Sequence, residues 1–280
     1  MREMISDKIV VYSAISRKDQ LALDAVRDIA ESVKRYNVWI TMALYDIRTR
    51  YRGSIIGPWW ITISMGVLIS GMSVLYAKLM HLELKDYVPW LTCGIVLWGM
   101  MVSSITEGCD AFIGSVQIIR QSSVPIFAFV LRVLARNFLV LAHNFIILIV
   151  VAVLFHFWHS SRPLEVAAGL IAVYFNLSWM VTLVALTSAR FRDVPQIIAA
   201  ALQIALFLTP VFWHAEQLPD RPALLWLNPF YHLLEVVRAP LLGAKTSPES
   251  WPVVIGMAIL GWALVFPIFA MTRRRVVHYL

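Results

Sequence analysis

The apolar positions of this chain fall into six long runs, at about 54–80, 87–105, 138–157, 164–187, 194–213 and 253–271. Each suits a helix crossing a hydrocarbon core of about 30 Å, which takes roughly 20 residues. The runs are continuous rather than alternating, so they do not read as the strands of a spanning β-barrel. Ahead of them the period changes. Ser16 and Asp19 are spaced as in a capping box, and apolar residues then recur at Ala22, Val26, Ile29, Ala30 and Val33, and again at Trp39, Ile40, Ala43, Leu44 and Ile47. That pattern predicts an amphipathic helix lying along a membrane interface. A seventh apolar stretch, 223–243, is cut by Asn228 and Pro229. It is too broken for one crossing and too apolar for a free loop, so it predicts a re-entrant helical hairpin on the outer side, covered by protein at membrane depth.

The pattern therefore predicts an all-α polytopic membrane protein with six transmembrane helices, an interface segment over 1–53 and a membrane domain over 54–280. Composition agrees: of 280 residues 60% are hydrophobic and only 15% charged, with a mean hydropathy of +0.73. Charge orients it. With the N-terminus inside, only Lys78, Lys85, Arg162, Arg221, Arg238 and Lys245 of the 24 basic residues fall outside. Both termini are then cytoplasmic. The net charge of +7 comes mostly from basic residues flanking apolar runs, which points to lipid headgroups and not to nucleic acid. The two cysteines, Cys93 and Cys109, share one run and make neither a disulfide framework nor a metal box. His156 and His159 lack a nearby third ligand, so no metal site is expected.

Several clusters carry candidate chemistry. Trp60, Tyr87, Trp90 and Trp98 lie near or along the first two runs, where rings form either an interfacial belt or a stacking surface along a path. Arg48, Arg50 and Arg52 precede the first run; they anchor topology or receive an anionic group in the planar fork that guanidinium offers. Between the second and third runs a short helix over 112–120 is expected, including Phe112, Val116, Gln117, Ile119 and Arg120. Its apolar content suits the groove of a soluble partner. The charged turn holding Arg190, Arg192 and Asp193 is a second contact of that kind, unless these residues pair locally. His143 and Asn144, polar inside a run, either bond between helices or line a channel. Thr209 and Pro210, with Asn228, Pro229 and Tyr231, mark two helix breaks that together suit an outer gate. Glu107 and Asp110 are the one close acidic pair bordering a run, which leaves a membrane-embedded enzyme acting on polyprenyl phosphate as a rival reading.

The segments YRGSIIGPWW (51–60), EG (107–108), HN (143–144), ARFRDVP (189–195), TPVFW (209–213) and LNPFYHLLEVVRAPLLG (227–243) resemble, in this order, the permease subunit of ABC-2 type polysaccharide exporters. The first segment is most similar to the lipopolysaccharide O-antigen branch, beside capsular and teichoic-acid branches. The resemblance spans nearly the whole chain from residue 36. It implies a homodimer in the bacterial inner membrane that carries two ABC ATPase subunits and moves a polyprenyl-pyrophosphate-linked glycan outward. ATP and magnesium would then be bound by the partner. The sequence contains no G-x-x-x-x-G-K-[ST] phosphate loop of its own. An ABC-2 permease for a drug or small lipid is the nearer alternative, sharing the same span plan.

Overall fold

Backbone groups withdrawn from water into lipid must bond within their own segment, so long apolar runs fold as helices. The computed structural model of the chain describes residues 19–157, 161–215 and 223–279, and every regular element among them is helical. In order these are α1 (residues 19–34), α2 (Tyr36–Arg50), α3 (Trp59–Leu79), α4 (Leu84–Cys109), α5 (Val116–Gln121) and α6 (Phe127–Phe155). They continue with α7 (Pro163–Arg190), α8 (Val194–Leu208), α9 (Ala223–Trp226), α10 (Pro229–Leu241) and α11 (Ser250–Tyr279). Five of them, α3, α4, α6, α7 and α11, are long and apolar enough to cross a membrane.

The fifth predicted run, 194–213, forms a shorter helix than expected. α8 has 15 residues, about 22 Å at 1.5 Å per residue, against a core of about 30 Å. Thr209 leaves the helix with φ −95° and ψ 134°, because a residue that precedes proline is driven out of the helical region. The third predicted run lengthens instead. α6 starts at Phe127, and a carboxylate nearly a hundred residues away caps it: Asp28 accepts from the Phe127 N–H at 2.9 Å and the Ile126 N–H at 3.2 Å. These are orphan donors of a helix start, and an acid there also meets the positive end of the helix dipole.

α4 and α7 form the middle of the bundle. α4 packs against α3, α6, α7, α8 and α10, and α7 against α6, α8, α10 and α11. Most of α4 and α7 is buried, whereas α3, α6 and α11 turn apolar surface outward. α1 is two-faced. Its inward face is Ala25, Asp28 and Ser32, while Val26 and Val33 are 52% and 56% exposed beside Leu23. The docked face is small and polar because it serves ion pairs: Asp28 meets Arg273 of α11 at 3.0 Å and Asp24 meets Arg273 and Arg274. The last helix and the described start of the chain are thereby tied at one end of the bundle, the termini end.

At the opposite end lies the hairpin. Phe230, in the first turn of α10, sits edge-on to Trp98 midway along α4, with ring centroids 5.4 Å apart. Ten residues of helix later, the Pro240 carbonyl accepts from the Arg162 N–H at the start of α7. So α10 climbs from the middle of the bundle back to the hairpin end. Gly169 of α7 permits the approach, since a Cβ there would collide with the Val236 carbonyl of α10.

Candidate functional site

Two polar constructions stand out, one at each end. At the hairpin end, α8 stops where Asn228 holds it. The Asn228 Nδ2 donates to the Leu208 carbonyl at 3.2 Å and to the Thr209 hydroxyl at 2.9 Å. Its Oδ1 meanwhile accepts from the Phe230 and Tyr231 N–H groups, capping α10. One side chain thus joins the end of α8 to the start of α10. The turn that follows α8 is fitted against α4: Tyr87 donates its hydroxyl to the Phe212 carbonyl at 2.7 Å, and a Cβ on Gly94 would lie 2.8 Å from the Val211 carbonyl.

A buried cation completes this construction. Arg238 of α10 is fully buried. It donates to the Pro210 carbonyl at 2.7 Å, stacks 3.4 Å from the centroid of the Trp90 ring and has Glu235 at 3.5 Å. A buried guanidinium is costly without such compensation, and a π face plus a carbonyl supply it without a tight counter-ion. Trp90 also stacks on His214 at 4.3 Å. His232 is fully engaged, between the Ser250 hydroxyl and the Trp226 carbonyl.

At the termini end, three arginines and two carboxylates interlock. Arg132 meets Asp46 in a two-pronged pair with bonds of 2.8 and 2.5 Å, and Arg136 reaches Asp46 and Glu107, each at 2.8 Å. Arg50 and Asn137 each donate to Glu107 at 2.8 Å. The network ties α2 to α4 and α6, and Arg132 extends it to the Ser115 hydroxyl ahead of α5. The hydrogen bond to Glu107 raises the Arg50 pKa above its ordinary value, so this residue is a fixed cation. A cavity of 190 Å³ opens here, lined by Arg50, Glu107, Asp110 and the two α6 arginines.

The candidates named from sequence divide accordingly. Thr209, Pro210, Asn228 and Tyr231 come together at the hairpin end, with Pro229 as the first residue of α10. Of the aromatic candidates, Trp60 is exposed on α3 and Trp90 lines a cavity, but Tyr87 and Trp98 are buried in helix packing. That corrects their placing along an open track: a ring with no exposed face has none to offer a sugar in this conformation. His143 bonds its own helix through the Leu139 carbonyl, while its own carbonyl accepts from Thr62 of α3. Asn144 is buried with its carbonyl oxygen unpartnered among the described residues. Neither side chain bonds between helices among the contacts described.

Arg48 and Arg52 are exposed, and Arg50 is committed to Glu107. The expected 112–120 helix is a 3-10 turn followed by α5, and much of its apolar content serves the chain's own core: Phe112 is fully buried and Ile119 is 7% exposed. Val116 is half-buried, and Gln117 and Arg120 remain exposed. The turn after α7 is exposed at Arg190, Arg192 and Asp193. Among the described residues no ion pair joins these three; the Arg190 guanidinium instead lies over the rings of Phe191 and Tyr279. His159 and Ser16 lie outside the described residues. Arg238 was counted only as an orienting charge in the sequence. Its signal was available, since an ionisable residue within an apolar helix calls for a partner or a task.

A bundle of five long apolar helices with a short sixth and a broken hairpin defines a multi-pass helical membrane protein. Residues 37–242 match the family described as ABC-2 type transporter, which is most of the chain. The chain belongs to that family and is a transport permease by descent. It is similar to the O-antigen export system permease protein RfbA of Klebsiella pneumoniae, 23% identical over 195 residues, covering 66% of this chain and 72% of that protein. It is also similar to the protein of the same name from Myxococcus xanthus, 21% identical over 245 residues, covering 85% and 94%.

Proposed function

We propose that this permease exports a lipid-linked polysaccharide of the O-antigen type from the cytoplasm across the bacterial inner membrane. Two copies form the path and carry two ABC ATPase subunits that bind and hydrolyse ATP. The observation that carries this reading is the nearly end-to-end similarity to a relative named an O-antigen export permease. In this reading the termini end faces the cytoplasm. The outward apolar face of α1 lies on the inner leaflet, and the exposed Gln117, Arg120, Arg190, Arg192 and Asp193 meet the ATPase. Arg48 and Arg52 are the cations left for the lipid pyrophosphate, Arg50 being held by Glu107. The hairpin, locked to the end of α8 by Asn228, closes the outer side and opens as the ATPases cycle. Glu107 favours transport over the rival enzymatic reading, because its carboxylate is engaged by Arg50, Arg136 and Asn137 and serves as a structural acceptor.

The test is reconstitution with an ABC ATPase that co-purifies with it. Polyprenyl-pyrophosphate-linked glycan is expected to stimulate ATP hydrolysis several-fold over the same lipid without sugar. Stimulation by a drug or a small lipid but not by the glycan would overturn the cargo assignment.

A further inference from the structure

A cavity of 270 Å³ lies beneath the hairpin, between the start of α4, α9, α10 and the loop leading to α11. The exporter reading leaves it unassigned. Its walls combine two kinds of group. Trp226, 52% exposed, and Tyr231 offer ring faces, while Lys245, Glu235 and Glu249 offer polar atoms. The exposed Lys245 ammonium asks for an outside oxygen, and the carboxylates ask for the opposite, a hydroxyl that donates. The Trp90 Nε1–H and the Arg238 Nε–H are buried behind these walls. The volume lies just under the roughly 300 Å³ at which small-molecule pockets begin, which suits one ring and not a chain. A molecule that presents flat apolar faces, ring and hydroxyl oxygens to accept, and hydroxyl hydrogens to donate, all within that volume, is a sugar.

We propose that this cavity is a binding subsite for a single sugar ring. Trp226 and Tyr231 lie against the ring, Lys245 donates to its oxygens, and Glu235 and Glu249 accept from its hydroxyls. The subsite rests on the reading of this chain as a polysaccharide exporter for its biological meaning, but not for its chemistry. Its place gives it a consequence. Glu235 also pairs with Arg238, which holds the Pro210 carbonyl at the end of α8, so a sugar drawing on Glu235 acts on the residue that fastens the hairpin to the helix break.

The experiment uses the full chain in nanodiscs, which avoids sugar-headed detergents, and a panel of methyl glycosides (glucoside, galactoside, mannoside and N-acetylglucosaminide) read by saturation-transfer NMR. At least one glycoside is expected to bind saturably in the millimolar range. Trp226→Ala, at the half-exposed rim, and Glu235→Gln should each weaken it at least tenfold while the melting temperature holds within a few degrees. Tyr45→Ala, an exposed ring on α2, should change nothing. The subsite is overturned if no glycoside binds, which would mean that water alone occupies the cavity. It is equally overturned if binding survives both cavity variants or falls as far with Tyr45→Ala. Glycan-stimulated ATP hydrolysis without glycoside binding would remove the subsite and leave the exporter. Binding without any glycan stimulation would do the reverse.

Discussion

The two ends of the molecule hold their helices together by different means. At the termini end Asp46 and Glu107 are surrounded by Arg50, Arg132 and Arg136, with two-pronged bonds and most side chains largely shielded from solvent. At the hairpin end a buried cation, Arg238, is held by a ring face and a carbonyl, with an acid 3.5 Å away, and an asparagine does the joining. Ion networks with saturated geometry resist partial rearrangement, because removing one member strands the rest in a medium of low dielectric. The bonds of Asn228 are neutral and release in smaller steps, each of order 1 kcal/mol. We infer that the termini end serves as a fixed base and that the Asn228 joint is the part that moves.

The largest expected effect follows at the base. Arg136→Ala removes the residue that bridges Asp46 and Glu107, and should destabilise the purified permease by about 2–3 kcal/mol, below the cost of breaking a fully buried pair because these side chains keep 13–22% exposure. Thermal unfolding followed by size-exclusion fluorescence checks it. A loss under about 1 kcal/mol would mean that the network is solvated and the base is not rigid. Asp46→Ala with Arg132→Ala should show a coupling energy of about 1–3 kcal/mol in a double-mutant cycle; strict additivity would dissolve the network into independent contacts.

Next in size is the lock. Asn228→Ala loses the cap on α10 and both bonds to the end of α8, for which about 1–2 kcal/mol is expected. Its larger effect should be functional, with ATP hydrolysis no longer dependent on glycan because the outer seal fails at rest. Full retention of glycan dependence would show that the α8 break and the hairpin are not joined through this residue.

Much of this contrast was legible in the sequence, and what was not has a physical pattern. Features written in a local window came through: the apolar runs, the break at Asn228 and Pro229, and the proline that ends α8. Features that depend on which residues meet across the chain did not. Nothing local marks Asp28 as the cap of a helix that begins ninety-nine residues later, or Asp46 as the partner of Arg132 and Arg136. The apolar residues before and within α5 suggested a partner's groove because hydropathy does not tell a neighbouring protein from the chain's own core. Tyr87 and Trp98 looked like an open surface for the same reason. The docked face of α1 lay outside the apolar pattern as well, since it is chosen by ion pairs with Arg273 and Arg274, not by hydrophobicity.

The smallest predicted effects serve as controls on the comparison, one at each end. Arg274→Ala opens a pair with Asp24 in which the arginine is 67% exposed, and Glu165→Ala opens a pair with Arg162 whose side chains are 38% and 45% exposed. Exposed pairs gain little in high dielectric and lose side-chain entropy, so each substitution should cost under about 1 kcal/mol and leave glycan dependence untouched. If Arg274→Ala cost as much as Arg136→Ala, position at the termini end would govern stability regardless of burial, and the argument from stranded charges would fall. If Glu165→Ala abolished glycan dependence as Asn228→Ala should, the start of α7 would belong to the moving part, and the hinge would have to be placed beyond Arg162 instead of at the end of α8.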